Sequence, residues 1–68
     1  MNNSLNELRR LLHIITFRNY LNGKDIDYVN GVILFYNLKT VFTNTCESLI
    51  KVIELLSEEL KNADSVQT

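Results

Sequence analysis

The sequence predicts an all-α fold, a small antiparallel helical hairpin or three-helix bundle completed by oligomerisation. Apolar residues recur at helical spacing in the first and last thirds of the chain, proline is absent, and only two glycines interrupt 68 residues. The alternative is an α+β fold in which a central β-hairpin turns at Asn30-Gly31.

The first helix is expected over about residues 4–21. Ser4 and Glu7 have the S-x-x-E spacing of a capping box, whose hydroxyl and carboxylate satisfy backbone donors left open at a helix start. Leu5, Leu8, Leu12 and Ile15 follow at steps of 3, 4 and 3, which stacks them on one face. Leu11, Ile14 and Phe17 widen that stripe, so the helix should be covered on two sides. Asn22-Gly23 supplies the stop, because glycine accepts the positive φ of a C-terminal cap.

The middle segment, "YVNGVILFYN", is ambiguous. Asn30-Gly31 suits a two-residue hairpin turn, and Val29, Val32, Ile33, Phe35 and Tyr36 all favour strands. Against this, Ile26, Val29, Ile33 and Tyr36 repeat at steps of 3, 4 and 3, and Asp25 and Asp27 suit a helix start. A second face, Tyr28, Val32 and Phe35, runs in phase through Lys39 toward the next helix. A lone two-stranded hairpin is marginal in water, and "VILFY" lacks the alternation that would give it one wet face. The preferred reading is a helix over about 25–40, accepting roughly 1 kcal/mol for an interior Gly31 relative to alanine.

The third helix is expected over about 44–62. Phe42, Cys46, Leu49, Ile53, Leu56 and Leu60 recur at steps of 4, 3, 4, 3 and 4. Val52 and Leu55 broaden the seam, while Glu54, Glu58, Glu59 and Lys61 mark the wet side. Asn44 is the candidate cap, three residues before Glu47. Residues 63–68 lose periodicity and should fray.

Composition limits the chemistry. Hydrophobic residues make up 46% and charged ones 22%, values of a globular domain. A single domain of this length buries only roughly 60% of its unfolded surface. With one cysteine, no internal disulfide can compensate, so a partner or second copy is the expected support. No stretch approaches the roughly 18 apolar residues of a membrane span. The N-terminal stretch is a poor signal peptide, although an Arg-bearing amphipathic start can imitate a mitochondrial presequence. These features point to a soluble protein of the cytoplasm, where a free thiol stays reduced.

Catalytic, cofactor and metal sites are all expected to be absent. Cys46 and His13 form no nucleophile–base motif, and a small buried hydrophobe is the simpler role for Cys46. Asp25 and Asp27 lack the further ligands of a calcium loop, and no glycine-rich phosphate loop is present. No small-molecule substrate is implied.

What remains is binding. A helix buries one stripe against each neighbour, yet "VILFY" points apolar groups around most of its circumference. Tyr28, Val32, Ile33, Phe35 and Tyr36 are therefore the candidate partner-binding residues, for a homo-oligomer or a protein partner. Charge is uneven: residues 1–24 carry four basic residues against one acid, net +3, and residues 25–68 carry three lysines against seven acids, net −4. Arg9, Arg10 and Arg18 are candidate charge-docking residues. The function expected is a non-enzymatic interaction module, a small adaptor, regulator or chaperone-like subunit. The alternative is a dimeric nucleic-acid-binding regulator presenting the basic first helix.

Overall fold

The computed structural model describes residues 3–67, with side chains for residues 3–62. Three helices and no strand form among them: α1 (Asn3–Arg18), α2 (Gly23–Phe35) and α3 (Cys46–Gln67). The hairpin alternative is overturned, since Asn30 and Gly31 lie inside α2.

Four contacts give the topology. Thr16 near the end of α1 meets Cys46 at the start of α3, and Ser4 lines a depression with Tyr28 and Phe35 of α2. Tyr36 to Lys39 lie beside Leu55 and Glu58, whereas Asn44 reaches back to Leu21. Helix α1 is thus antiparallel to both others, and α2 runs parallel to α3. Parallel neighbours require a return path. Helix α2 is about 20 Å long, and ten helical residues would rise only about 15 Å in the wrong direction, whereas an extended segment reaches about 33 Å. Residues 36–45 accordingly form a non-helical connector that buries Phe42 and half-buries Leu38 on its way.

The helix ends differ from expectation for one shared reason. Asn19, Asn37 and Asn44 all have positive φ, 74°, 54° and 56°, while neither glycine does. Asparagine tolerates the left-handed region because its short side chain bonds locally. Helix α1 therefore stops at Arg18, not near 21, where the Asn19 N–H donates to the Ile15 carbonyl at 2.7 Å. Helix α2 stops at Phe35, not near 40. Leu38 N–H donates to Ile33 at 2.9 Å and Asn37 N–H to Leu34 at 3.2 Å, the paired bonds of a Schellman cap. The face expected to continue through Lys39 into α3 is interrupted there.

The starts are corrected likewise. Asn22 caps α2, its Oδ1 accepting the Asp25 N–H at 2.9 Å, so Asp25 is the capped residue and Gly23 opens the helix instead of closing α1. Thr45 caps α3 by accepting the Ser48 N–H at 3.1 Å, which frees Asn44 for a long-range role. Ser48 Oγ in turn accepts from Thr43 N–H and donates to the Val41 carbonyl, tying the connector to the first turn of α3. At the N-terminus α1 already includes Asn3, so Ser4 sits inside the helix and the Glu7 carboxylate pairs with Arg10. Residues 63–67 extend α3 to Gln67; Thr68 lies outside the described residues.

The core collects Leu8, Leu11 and Ile15 from α1, Val29, Val32 and Ile33 from α2, and Leu49, Val52 and Leu56 from α3. Leu21 and Phe42 close it from the two connections. Val52, expected at the edge of the α3 seam, is at its centre, and Cys46, Ile53 and Leu60 flank it. No buried side-chain nitrogen or oxygen among the described residues lacks a partner, so polar satisfaction costs this small core nothing.

Candidate functional site

Helix α2 has three core positions and a broad apolar remainder. Val29, Val32 and Ile33 face inward, with Val32 and Ile33 only 5% and 8% exposed. These two therefore lie beneath the helix surface and not on it. At roughly 100° per residue, Tyr28, Gly31 and Phe35 form a neighbouring strip, and Leu34 stands about 140° from the buried centre. Phe35 and Leu34 are each 81% exposed, and Tyr28 lies at the border.

Tyr36 is half-buried and meets Phe35 edge to face, with ring centroids 4.9 Å apart and planes at 81°. Together with Ser4 and Gly31, these residues line a shallow depression of about 270 Å³. Gly31 is its floor. A Cβ built on Gly31 meets nothing within 4 Å, so the monomer has no steric need for glycine there.

A second, larger cleft of about 470 Å³ lies where α1 meets the start of α2, lined by His13, Ile14, Phe17, Tyr20 and Asp25, among others. Phe17, expected to widen the buried stripe of α1, is instead 87% exposed there. Its position was legible: it falls about 160° from the Leu8–Ile15 centre, too far round to be covered by one layer. Leu34 was missed for the opposite reason, since an unbroken apolar run hides which member is left over.

The three arginines do not gather into one stripe. Arg9 and Arg18 are nine residues apart, roughly two and a half turns, which places them on opposite sides of α1. Arg18 borders the larger cleft. Arg10 binds Glu7 through Nε and Nη2, at 3.2 and 2.5 Å. The hydrogen bond from Arg10 and its positive charge hold the Glu7 carboxyl below the usual glutamate value. The carboxylate in turn raises Arg10, with a further contribution from Asp25.

The two residues weighed as a nucleophile and base have different neighbours. Cys46 Sγ lies 3.6 Å from Thr16 Oγ1, while His13 lines the cleft beside Asp25. Among the described residues no group of three His, Cys, Asp or Glu converges as a metal site, and no helix is long and apolar enough to cross a membrane.

The chain's surface, 4972 Å², exceeds the value of roughly 4,400 Å² that scaling gives for a globular monomer of 7.9 kDa. Extents of 40 × 18 × 18 Å explain the excess. No protein-family model, curated protein or solved structure matches the chain.

Proposed function

We propose that this chain is a small non-enzymatic interaction module, an adaptor, regulator or chaperone-like subunit, that binds protein through the outer face of α2. One observation carries the reading: Leu34 and Phe35 stand in water on a helix whose opposite side is core. Exposed contiguous apolar surface rimmed by polar residues is the usual mark of an association site, and aromatic side chains are its usual anchors. Val32 and Ile33 hold the strip in place from below, and Tyr28 and Tyr36 frame it. Arg9 and Arg18, on opposite sides of α1, add positive charge around that helix while Arg10 is paired with Glu7, and such charge favours encounter with acidic partners more than it adds affinity. The half-buried thiol suits a reducing compartment such as the cytoplasm.

Salt separates this reading from nucleic-acid binding. Association of the purified chain, with itself or with protein from its source cell, is expected to persist up to about 0.5 M salt, where contacts to several phosphates lose orders of magnitude in affinity. Phe35→Asp is expected to abolish it. Association that survives Phe35→Asp and disappears in salt would overturn the proposal.

A further inference from the structure

We infer that Asn22 is a site of spontaneous covalent modification, converting to aspartate and isoaspartate through attack by the Gly23 nitrogen, while Asn30, with the same kind of neighbour, is protected by α2. The inference stands apart from what α2 binds.

Of the asparagines in the chain, only Asn22 and Asn30 precede glycine, so the local sequence offers the reaction at either place. A glycine nitrogen reaches the preceding side-chain amide most readily, because no Cβ stands in the way. In the reaction the Gly23 nitrogen bonds to Asn22 Cγ as its proton passes to solvent, the Cγ–Nδ2 bond breaks, and Nδ2 takes up a proton and leaves as ammonia. Water then opens the cyclic imide. Cleavage at Cγ gives aspartate, and cleavage at the main-chain carbonyl gives isoaspartate, whose backbone runs through Cβ and Cγ.

The fold separates the two asparagines. Asn30 and Gly31 lie inside α2, where the helix holds the Gly31 N–H on the carbonyl four residues earlier. Buried Val29 and Val32 flank the pair, so freeing that nitrogen means pulling α2 off the core. Asn22 stands outside the helix, with extended backbone at φ −77° and ψ 173°. Gly23 is the first helical residue, and its N–H is among the donors that a helix start leaves open. Asn22 Oδ1 accepts from Asp25 instead, and nothing among the described residues accepts the Gly23 N–H. Both residues are exposed, and Asn22 lines the cleft of about 470 Å³, where water has access.

The restraint on the Asn22 side chain is the 2.9 Å bond from the Asp25 N–H, which also draws electron density from Cγ, the atom under attack. A cap of this kind slows the reaction by about fivefold, whereas unfolding the middle of α2 slows it by at least about a hundredfold.

The products differ in what they leave behind. Aspartate keeps an oxygen for the Asp25 N–H and adds a negative charge at the positive end of α2. Isoaspartate inserts an extra carbon into the backbone and moves the free carboxylate to Cα. The cap is lost, and with it the first turn that sets Ile26 against the core.

The test incubates the full chain in warm, mildly alkaline buffer, folded and in urea, and follows it by trypsin digestion and mass spectrometry. Trypsin cuts after Arg18, Lys24 and Lys39, which puts Asn22 and Asn30 in separate peptides. In urea both are expected to react at similar rates. In the folded chain Asn22 is expected to react at least about tenfold faster than Asn30, and isoaspartyl methyltransferase should label the Asn22 peptide. Asn22→Ser, which keeps a capping oxygen, is expected to stay folded and lose the reaction. Gly23→Ala, whose Cβ meets nothing within 4 Å, is expected to stay folded and slow it. Hydrogen exchange from Lys24 to Ile26 should be faster in the isolated isoaspartate form than in Asn22→Asp. Conversion of Asn30 as fast as that of Asn22 in the folded chain would overturn the inference, and so would a folded chain inert at Asn22 while the urea sample converts.

Discussion

The Asn44 side chain holds the Leu21 backbone at both of its polar atoms: Leu21 N–H donates to Oδ1 at 2.8 Å, and Nδ2 donates to the Leu21 carbonyl at 3.2 Å. This amide clasp spans 23 residues and joins the α1–α2 turn to the end of the connector. It also anchors Leu21 in the core at 2% exposure. Asn44 meets two demands at once, since its backbone is left-handed at φ 56°. Asn44→Gly keeps the backbone and loses the clasp; Asn44→Ala loses both. The expected costs are about 1–2 kcal/mol for Gly and roughly 1 kcal/mol more for Ala, measured by urea unfolding. Equal costs would show that the backbone conformation carries no strain.

Gly31→Ala is expected to stabilise the monomer by about 0.5–1 kcal/mol, since alanine restores helix propensity and its methyl enters open space. Thermal unfolding at low protein concentration, where association is negligible, provides the measurement. A lower melting temperature would contradict the open surroundings of Gly31.

Core and surface leucines should separate sharply. Leu49 and Leu56 are fully buried. Replacing either by Ala is expected to cost about 2–5 kcal/mol, a large share of the roughly 3–10 kcal/mol available to a chain of this length. Leu34→Ala is expected to stay within about 0.5 kcal/mol, because no cavity forms. Far-ultraviolet circular dichroism with denaturant would distinguish the two classes.

Two caps carry the helix starts. Asn22→Ala and Thr45→Ala each remove a side-chain acceptor from a first-turn N–H and are expected to cost about 1 kcal/mol. Asp25→Ala, by contrast, leaves the α2 cap intact, and its effect should be smaller. A larger loss at Asp25 than at Asn22 would reverse the assignment of the cap.

The Glu7 carboxyl is held below its ordinary value by Arg10. A depressed carboxylate contributes stability above its unfolded pKa and loses it as pH falls through the folded one. Both side chains are exposed, so the effect on unfolding is small and screened by salt. Carboxyl NMR titration is expected to show Glu7 ionising at lower pH than it does in Arg10→Gln. An unchanged midpoint would mean that the pair is not formed in solution.

The helices were legible in the sequence because helix formation is local. Leu8 with Ile15, and Leu49 with Leu56, advertise their faces through spacing alone. The α2 segment was harder, since β-branched and aromatic residues contradict the period, and the period prevailed. The ends were misread at Asn19, Asn37 and Asn44, where glycine-like conformations were taken by a residue that also suits exposed helix and loop positions. On α2, crowding pointed to Phe35 and Tyr28, which stand exposed, and to Val32 and Ile33, which are core, while the equally exposed Leu34 went unnoticed.

Spacing by itself determined that three helical segments form and that α2 carries more apolar surface than one stripe can bury, because both follow from side chains a turn apart. Only tertiary structure decided that α2 and α3 run parallel, which of the apolar residues face water, and that Asn44 grips Leu21. Those outcomes depend on groups distant in sequence competing for one small interior, and no local pattern records who wins.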